Sequence, residues 1–220
     1  MTQLIFLPGI GANYLIFSKT LAAFPDGKVL PWQVPLPRES LRDFARRWAS
    51  IFRQGPYVLV GHSFGGMVAL ELAKWVNTQS VVLLSSCRDI KVLDSRIRLL
   101  EQISRWVPNA LIQQALQILG PSVIARRQGV SSEDRPLLVQ MIRDLDLPFM
   151  RWASSSALNW KNNQPVEEKR PYRLYALHGR KDSVIPLVEA PWVEVVEDGR
   201  HLLPLTHPDR VNAIIRKALQ

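Results

Sequence analysis

The residues best placed to do chemistry stand in the hexapeptide Gly61–Gly66, which reads GHSFGG. An apolar run, Tyr57–Val60, precedes it, and a helical pattern, Met67–Trp75, follows it. A G-x-S-x-G pattern between a strand and a helix predicts a sharp turn that lifts the serine side chain clear of the sheet. Ser63 would then stand at the N-terminus of the helix, whose free N–H groups stabilise developing negative charge. The pattern therefore predicts a nucleophilic serine, although a Ser/Gly-rich turn between two buried elements would share it.

A serine hydroxyl needs a neighbouring base to take its proton before it becomes a strong nucleophile. His201 is the best candidate, because it lies in a loop directly after the last apolar strand pattern. The other three histidines occupy positions that favour structural roles. His62 is next to the candidate nucleophile and should point away from it. His178 ends a buried strand, and His207 precedes the proline that starts the last helix.

A base of this kind is oriented by a carboxylate, which fixes the tautomer of the imidazole. Asp182 follows the fifth strand pattern, so Ser63, Asp182 and His201 occur in the chain order serine, acid, histidine. Asp89 follows the fourth strand pattern and is the competing candidate. Either aspartate could instead cap a turn. The chain order favours Asp182.

A serine nucleophile that attacks a carbonyl also needs N–H donors for the negative oxygen that forms. We expect one donor to be the backbone N–H of Phe64, the residue after the nucleophile. The second is expected from the loop after the first strand, at the N–H of Ile10, because Gly9 and Gly11 let that backbone turn inward.

Composition limits the classes of protein to consider. The chain has 220 residues, 47% of them apolar, which is typical of one globular domain with a sizeable core. Cys87 is the only cysteine, so no disulfide forms within the chain and a cytoplasmic location is expected. The segment Met1–Gly9 is predicted to be a first strand rather than a signal peptide. No stretch approaches the roughly 18 apolar residues of a membrane span.

The formal net charge is +9, which can favour anionic partners such as nucleic acid. The basic residues are scattered along the chain, however, and do not form a dense basic cluster. Because such clustering marks nucleic-acid-binding proteins, we expect a solvated basic surface and no nucleic-acid partner.

Six apolar runs have the pattern of strands, and they alternate with helical patterns. This alternation predicts an α/β fold with a mostly parallel sheet and helices on both faces. The expected strands are Leu4–Leu7, Val29–Trp32 at an edge, Tyr57–Val60, Ser80–Ser85, Leu174–His178 and Trp192–Val196. The clearest helix is expected at Ser40–Arg53, with others at Tyr14–Ala22, at Met67–Trp75 and from Pro208 onward.

Between the fourth and fifth strand patterns the rhythm is helical, and we expect no strand there. We therefore predict a sheet core, residues 1–87 and 166–220, interrupted by a helical lid at residues 88–165. The lid should close an apolar pocket over the substrate. Aromatic candidates for its lining are Tyr14, Phe64, Trp106, Trp152 and Trp160, although a residue of this kind is more often simply part of the core.

Four segments together resemble the α/β-hydrolase superfamily. They are the loop after the first strand, the nucleophile turn, the segment HGRKD…VIP and the segment GRHL…HP, with residue ranges 6–11, 61–66, 178–186 and 199–208. The resemblance covers most of the chain outside the predicted lid. Pro8-Gly9 stands where the family usually has His-Gly, as in some thioesterase-like members, and the first two strands of the full fold are missing. Since only nineteen positions separate Asp182 from His201, the helix usually found there should be reduced to a turn.

The resemblance implies a hydrolase with a Ser63–His201–Asp182 triad that needs neither metal nor cofactor. We expect cleavage of a small-molecule ester with a small to medium acyl chain, through an acyl-enzyme intermediate. Hydrolysis of acyl-CoA or acyl-carrier thioesters is the alternative within the same chemistry. A lyase reaction, or a non-catalytic binder that keeps the pocket, stays open. The sequence leaves the oligomeric state undetermined.

Overall fold

The computed structural model describes residues 2–53, 55–89, 107–161 and 171–220. Six parallel strands form one sheet in the order β2-β1-β3-β4-β5-β6. Their bounds are β1 Gln3–Leu7, β2 Lys28–Val29, β3 Tyr57–His62, β4 Thr78–Leu84, β5 Arg173–Gly179 and β6 Val193–Val196. The predicted six-stranded parallel sheet is therefore confirmed.

The helices of the described residues are α1 Ser18–Ala23, α2 Leu41–Trp48, α3 Phe64–Leu72, α4 Asn109–Gln128, α5 Arg135–Arg143, α6 Leu147–Asn159, α7 Leu203–Thr206 and α8 Pro208–Leu219. Short 3₁₀ turns precede α1 and follow α2. In α2 the Ser40 side chain accepts the Asp43 N–H, as expected of an N-cap serine. The helix at α3 begins at Phe64, earlier than its apolar pattern indicates, because the nucleophile turn leads directly into it.

Helices cover both faces of the sheet because successive side chains of a strand point to opposite faces. In β1, Ile5 and Leu7 join a buried cluster that includes Phe44 of α2 and Phe149 of α6. The alternate residues Leu4 and Phe6 join a second buried cluster, with Ile16, Met141 of α5, and Ile214 and Ile215 of α8. Among the described residues, these two clusters form the hydrophobic core on the two faces of the sheet.

The second strand is shorter than predicted and ends at Val29 instead of Trp32. Pro31 has no N–H to donate to a neighbouring strand, and the indole of Trp32 stacks on Phe149 instead. The strand does lie at the edge of the sheet, as its proline indicated.

The connections on either side of β5 also bear on the predictions. In the described part of the segment between β4 and β5, helices α4, α5 and α6 occur and no strand does. Residues 180–192, between β5 and β6, form turns without a helix, so the predicted reduction of that connection is confirmed. Among the helices within the described ranges, none has the length and apolarity that crossing a membrane requires.

Candidate active site

The strand order fixes where a ligand site is expected. The chain runs from β1 outward to β2 at one edge and then returns to β3 on the other side of β1. Ligands of open parallel sheets bind at the carboxyl ends of the strands where the order reverses. The loop that follows β1 and the Ser63 turn that follows β3 meet at this position.

Ser63 occupies the turn between β3 and α3 in a strained backbone conformation, with φ of 53° and ψ of −119°. A positive φ at a residue other than glycine costs on the order of 1–3 kcal/mol, so the surroundings must hold it. The Ser63 N–H donates to the Leu84 carbonyl at 2.9 Å. The Ser86 hydroxyl donates to the Ser63 carbonyl at 2.6 Å. Both bonds anchor the turn to β4 and the residues that follow it.

The turn requires glycine at two positions, because other parts of the backbone lie very close to them. A Cβ atom at Gly61 would lie 2.3 Å from the Gly65 carbonyl oxygen. One at Gly65 would lie 2.0 Å from the Leu7 carbonyl oxygen, at the end of β1. Neither position has room for a side chain, which gives the two glycines of the G-x-S-x-G pattern a steric reason.

The structure brings Ser63, His201 and Asp182 into one hydrogen-bonded chain. His201 Nε2 lies 3.0 Å from Ser63 Oγ, and His201 Nδ1 lies 2.8 Å from Asp182 Oδ2. The histidine and the aspartate are 7% and 8% exposed. With Nδ1–H donating to the carboxylate, Nε2 is left to accept the serine proton, as a general base must.

The Asp182 carboxylate has further donors. Its Oδ1 accepts the N–H groups of Val184 and Ile185 at 2.8 and 3.0 Å. Its Oδ2 also lies 3.4 Å from His178 Nε2, whose main partner is the Ile185 carbonyl at 2.9 Å. Burial by itself would raise the pKa of Asp182, but the hydrogen bonds from His178 and His201 outweigh it and hold the pKa well below its usual value. The carboxylate is therefore ionised at neutral pH.

His62 is hydrogen-bonded to the backbone of His201. Its Nε2–H donates to the His201 carbonyl at 2.9 Å, and the two rings are 5.0 Å apart. Burial, and next the neighbouring His201, lower the pKa of His62 to about 3, so His62 is neutral at ordinary pH. Its buried Nδ1 has no hydrogen-bond partner in the part of the chain described. No local pattern indicates this bond, because it joins residues 139 positions apart.

The other two histidines lie where the sequence indicated. His178 is packed in β5, and its contact with Asp182 was not predicted from the sequence. His207 stands at the N-cap position of α8, hydrogen-bonded to Thr206 and 3.3 Å from an Asp198 carboxylate oxygen.

The loop after β1 passes directly beside Ser63. A Cβ atom at Gly9 would lie 3.0 Å from Ser63 Cβ and 2.9 Å from His62 Nδ1. The next residue in this loop is Ile10, and Phe64 is the first residue of α3. The two N–H groups expected to hold a negative oxygen therefore belong to the residues that directly follow Gly9 and Ser63, the two residues in contact.

Asp89, the other candidate acid from the sequence, and Cys87 both follow β4. Asp89 is exposed, and the carboxylate at His201 Nδ1 is that of Asp182. Burial, with the nearby Asp89 as a second cause, raises the pKa of the Cys87 thiol to about 12, so this thiol is not a nucleophile at neutral pH.

A cavity of about 420 Å³ opens beside the loop after β1. Its walls come from that loop, from the residues after β2 and from the junction of α5 and α6. Its principal lining residues are Pro8, Gly11, Tyr14, Trp32, Leu145 and Phe149. The carboxyl-bearing residues Asp144 and Asp146 also line it.

Of the aromatic residues proposed from sequence to line a pocket, Tyr14 alone among those described lines this cavity. Phe64 and Trp152 belong to the adjoining aromatic cluster, with ring centroids 6.0 Å apart. Trp160 is buried and donates its indole N–H to Glu71 at 2.8 Å, and Trp106 lies outside the described residues. Sequence reasoning missed Trp32 and Phe149, since each has the pattern of an ordinary core residue.

No group of three or more histidine, cysteine, aspartate or glutamate side chains in the described ranges is arranged to hold a metal ion.

The chain is similar to known proteins over nearly its whole length. A family model described as "Alpha/beta hydrolase family" matches residues 4–214. No curated protein matches the chain. Among solved structures, an esterase from Exiguobacterium antarcticum is similar with a TM-score of 0.75 and 12% identity, covering 100% of this chain and 92% of the other. A putative aryl esterase from Burkholderia cenocepacia has a TM-score of 0.72 and 19% identity, and the match covers 99% of this chain and 91% of the other. The type II thioesterase BorB from the borrelidin biosynthetic cluster has a TM-score of 0.67 and 22% identity, and the match covers 100% of this chain and 93% of the other. At these identities the likeness shows a shared fold, and the predicted fold class is confirmed.

Proposed function

Because the chain belongs to the alpha/beta hydrolase family, we propose that it is a serine hydrolase that cleaves carboxylic esters of small to medium acyl chain. The observation that carries this proposal is the continuous chain from Ser63 Oγ to His201 Nε2 at 3.0 Å and from His201 Nδ1 to Asp182 Oδ2 at 2.8 Å. A buried carboxylate, an imidazole and a hydroxyl in this order form the constellation that activates a serine for acyl transfer.

The first half of the reaction forms an acyl-enzyme. Ser63 Oγ attacks the ester carbonyl carbon while His201 Nε2 takes the hydroxyl proton. The carbonyl oxygen becomes negative and is held by the N–H groups of Ile10 and Phe64. Collapse of this intermediate breaks the bond to the alcohol, which takes the proton from His201 as it leaves. Asp182 keeps its charge throughout and stabilises the imidazolium.

The second half returns the free enzyme. A water molecule attacks the acyl carbon, His201 Nε2 takes its proton, and the same two N–H groups hold the oxygen. When the bond to Ser63 breaks, the proton returns to Ser63 Oγ and the carboxylic acid is released. Each step uses groups of this chain and water.

The cavity beside the loop after β1 is the proposed acyl pocket. Its volume, about 420 Å³, lies at the low end of the range for small-molecule sites. Its walls are largely apolar and aromatic, including Trp32 and Phe149. This suits a short aliphatic or an aromatic acyl group better than a long fatty chain.

A thioesterase acting on acyl-CoA or acyl-carrier substrates is the second candidate. Similarity to the thioesterase BorB and the Pro8-Gly9 sequence of the loop after β1 favour it. Similarity to the esterases from Exiguobacterium antarcticum and Burkholderia cenocepacia favours simple esters. We therefore place simple esters first.

Ser63→Ala tests the proposal. We expect loss of hydrolysis of p-nitrophenyl esters and loss of covalent labelling by a fluorophosphonate, both of which wild-type protein should show. Residual hydrolysis above a small fraction of wild type would remove the nucleophile assignment. Absence of labelling in the wild type would favour a non-catalytic binder. Product analysis would detect a lyase, and rates on acyl-CoA against p-nitrophenyl esters would separate thioesterase from esterase.

A further inference from the structure

The backbone of His201 is held from both sides by side chains that lie far away in sequence. Its N–H donates to Gln128 Oε1 at 3.0 Å, and its carbonyl accepts His62 Nε2–H at 2.9 Å. His62 belongs to β3, but Gln128 is the last residue of α4, within the segment predicted to be a lid. The base is thus bonded directly to that segment.

A second contact joins the same two parts of the chain. The Arg200 guanidinium donates through Nη1 to the carbonyl of Arg126 at 3.2 Å and also to that of Arg127. These carbonyls belong to the last turn of α4, where helix carbonyls lack partners within the helix and a cation is favourable. Consecutive residues of the base loop, Arg200 and His201, therefore both bond the end of α4.

The end of α4 is capped and packed into the core, so it can serve as a support. Gly129 adopts a left-handed conformation with φ of 68°, and the Val130 N–H closes the helix on the Ala125 carbonyl at 2.9 Å. Ala125 and Val130 are buried in the core cluster shared with α8. The helix end is therefore anchored to the same core that carries the base loop.

We propose that Gln128 is a positioning residue for the base, which acts by holding the His201 backbone so that Nε2 faces Ser63. This inference rests on the proposed function. His201 is 7% exposed, so its N–H has little access to water if the Gln128 oxygen is removed. Leaving such a donor without a partner is unfavourable, and the loop should shift to find another acceptor. A shift of about 1 Å at a catalytic group can lower the rate about a hundredfold.

The test compares Gln128→Leu, which removes the acceptor at similar size, with Gln128→Glu, whose carboxylate can still accept the His201 N–H. We expect Gln128→Leu to lower kcat and the rate of fluorophosphonate labelling at Ser63 about tenfold, with KM changed less than about twofold. Gln128→Glu should recover most of that loss. Gln117→Leu, the same exchange at an exposed position of α4, is the control and should behave as wild type.

Amide hydrogen exchange at His201 gives a readout that does not depend on activity, and exchange should be faster in Gln128→Leu than in the wild type. A Gln128→Leu protein with wild-type labelling rate, a Gln128→Glu protein as impaired as Gln128→Leu, or equal loss in Gln117→Leu would overturn the proposal. If Gln128→Leu fails to fold, Gln128→Asn, which shortens the side chain, carries the same expectations. Absence of labelling in the wild type would instead refute the proposed function.

Discussion

Asp182 is ionised although it is buried, because several N–H groups point at its two oxygens. Backbone N–H groups of Val184 and Ile185 hold Oδ1, and His201 holds Oδ2, with His178 3.4 Å away. A charged acceptor favours the Nδ1–H tautomer of His201 and so leaves Nε2 free for the serine proton. At this scale the hydrogen bonds support the role proposed for each residue.

Exchange of the acid for an amide tests this role. In Asp182→Asn the amide can donate to Nδ1 and so favours the wrong tautomer of His201, and we expect kcat to fall by about three to four orders of magnitude. Asp89→Asn is the matched control and should keep nearly wild-type kcat, since Asp89 is exposed. Steady-state kinetics on one p-nitrophenyl ester measures both. A larger loss in Asp89→Asn would transfer the role of the acid to Asp89.

The lowered pKa of His62 predicts how the free energy of unfolding depends on pH. The unfolded chain protonates this histidine below about pH 6.5, whereas in the folded protein its pKa is about 3. The unfolded state therefore binds the extra proton in this window, and the free energy of unfolding falls as the pH falls from 6.5 towards 3, by up to about 1.4 kcal/mol per pH unit. Above about pH 6.5 the contribution is constant.

Urea unfolding at several pH values measures this effect. His62→Gln can keep a donor to the His201 carbonyl but does not titrate, so its stability should fall less steeply between pH 6.5 and 3. His207→Gln, at a partly exposed histidine of the α8 N-cap, is the control. An unchanged slope in His62→Gln would show that other groups govern the acid response.

At the scale of elements, the turn between β3 and α3 depends on close packing of backbone. The start of α3 lies against the end of β1, with room for only a hydrogen atom at Gly65. The chain continues from this contact to Gly9, which lies beside Ser63, and then to Ile10, one residue of the proposed oxyanion hole.

Gly65→Ala should therefore disrupt the turn. Its Cβ would lie 2.0 Å from the Leu7 carbonyl oxygen, which is backbone and cannot move aside, so we expect destabilisation of about 3 kcal/mol or more. Gly120→Ala, in α4, is the control. There the Cβ would lie 3.3 Å from the flexible end of Ile142, and Ala is the better helix former, so stability should change little. Thermal unfolding measures both, and equal melting temperatures for the two variants would contradict the steric argument.

At the scale of the whole molecule, the parallel sheet brings residues that are distant in sequence together at the carboxyl ends of its strands. Ser63 and His201 are 138 positions apart in the chain, and each follows the carboxyl end of a strand. The cavity beside the loop after β1 has a similar origin, since its walls come from that loop, the residues after β2 and the α5–α6 junction.

Leu145→Trp tests whether this cavity holds the acyl chain. Leu145 lies at the α5–α6 junction against Gly11, and a larger side chain there should shorten the cavity. We expect kcat/KM for p-nitrophenyl octanoate to fall at least about tenfold, while the acetate stays within about threefold. Leu119→Trp, at a residue that is 62% exposed, is the control and should keep the wild-type preference. An unchanged chain-length preference in Leu145→Trp would place the acyl group elsewhere.

The sequence by itself was sufficient for the sheet and for the chain order of the proposed catalytic residues. Strands and the nucleophile turn are local features, recorded in hydrophobic period and in glycine spacing over a few positions. The family resemblance then supplied the roles of Ser63, Asp182 and His201, which the hydrogen-bonded geometry supports.

Only the tertiary structure decided what depends on contact between distant segments. It set Asp182 rather than Asp89 against His201, ended β2 before Trp32, and brought Phe149 and Gln128 to the site. None of these contacts leaves a local pattern, because a side chain that supports a base looks in sequence like any other residue on its helix. The physical reason is that long-range contacts and hydrogen bonds depend on how the helices pack against the sheet. Local sequence patterns determine only which segments form helices and strands.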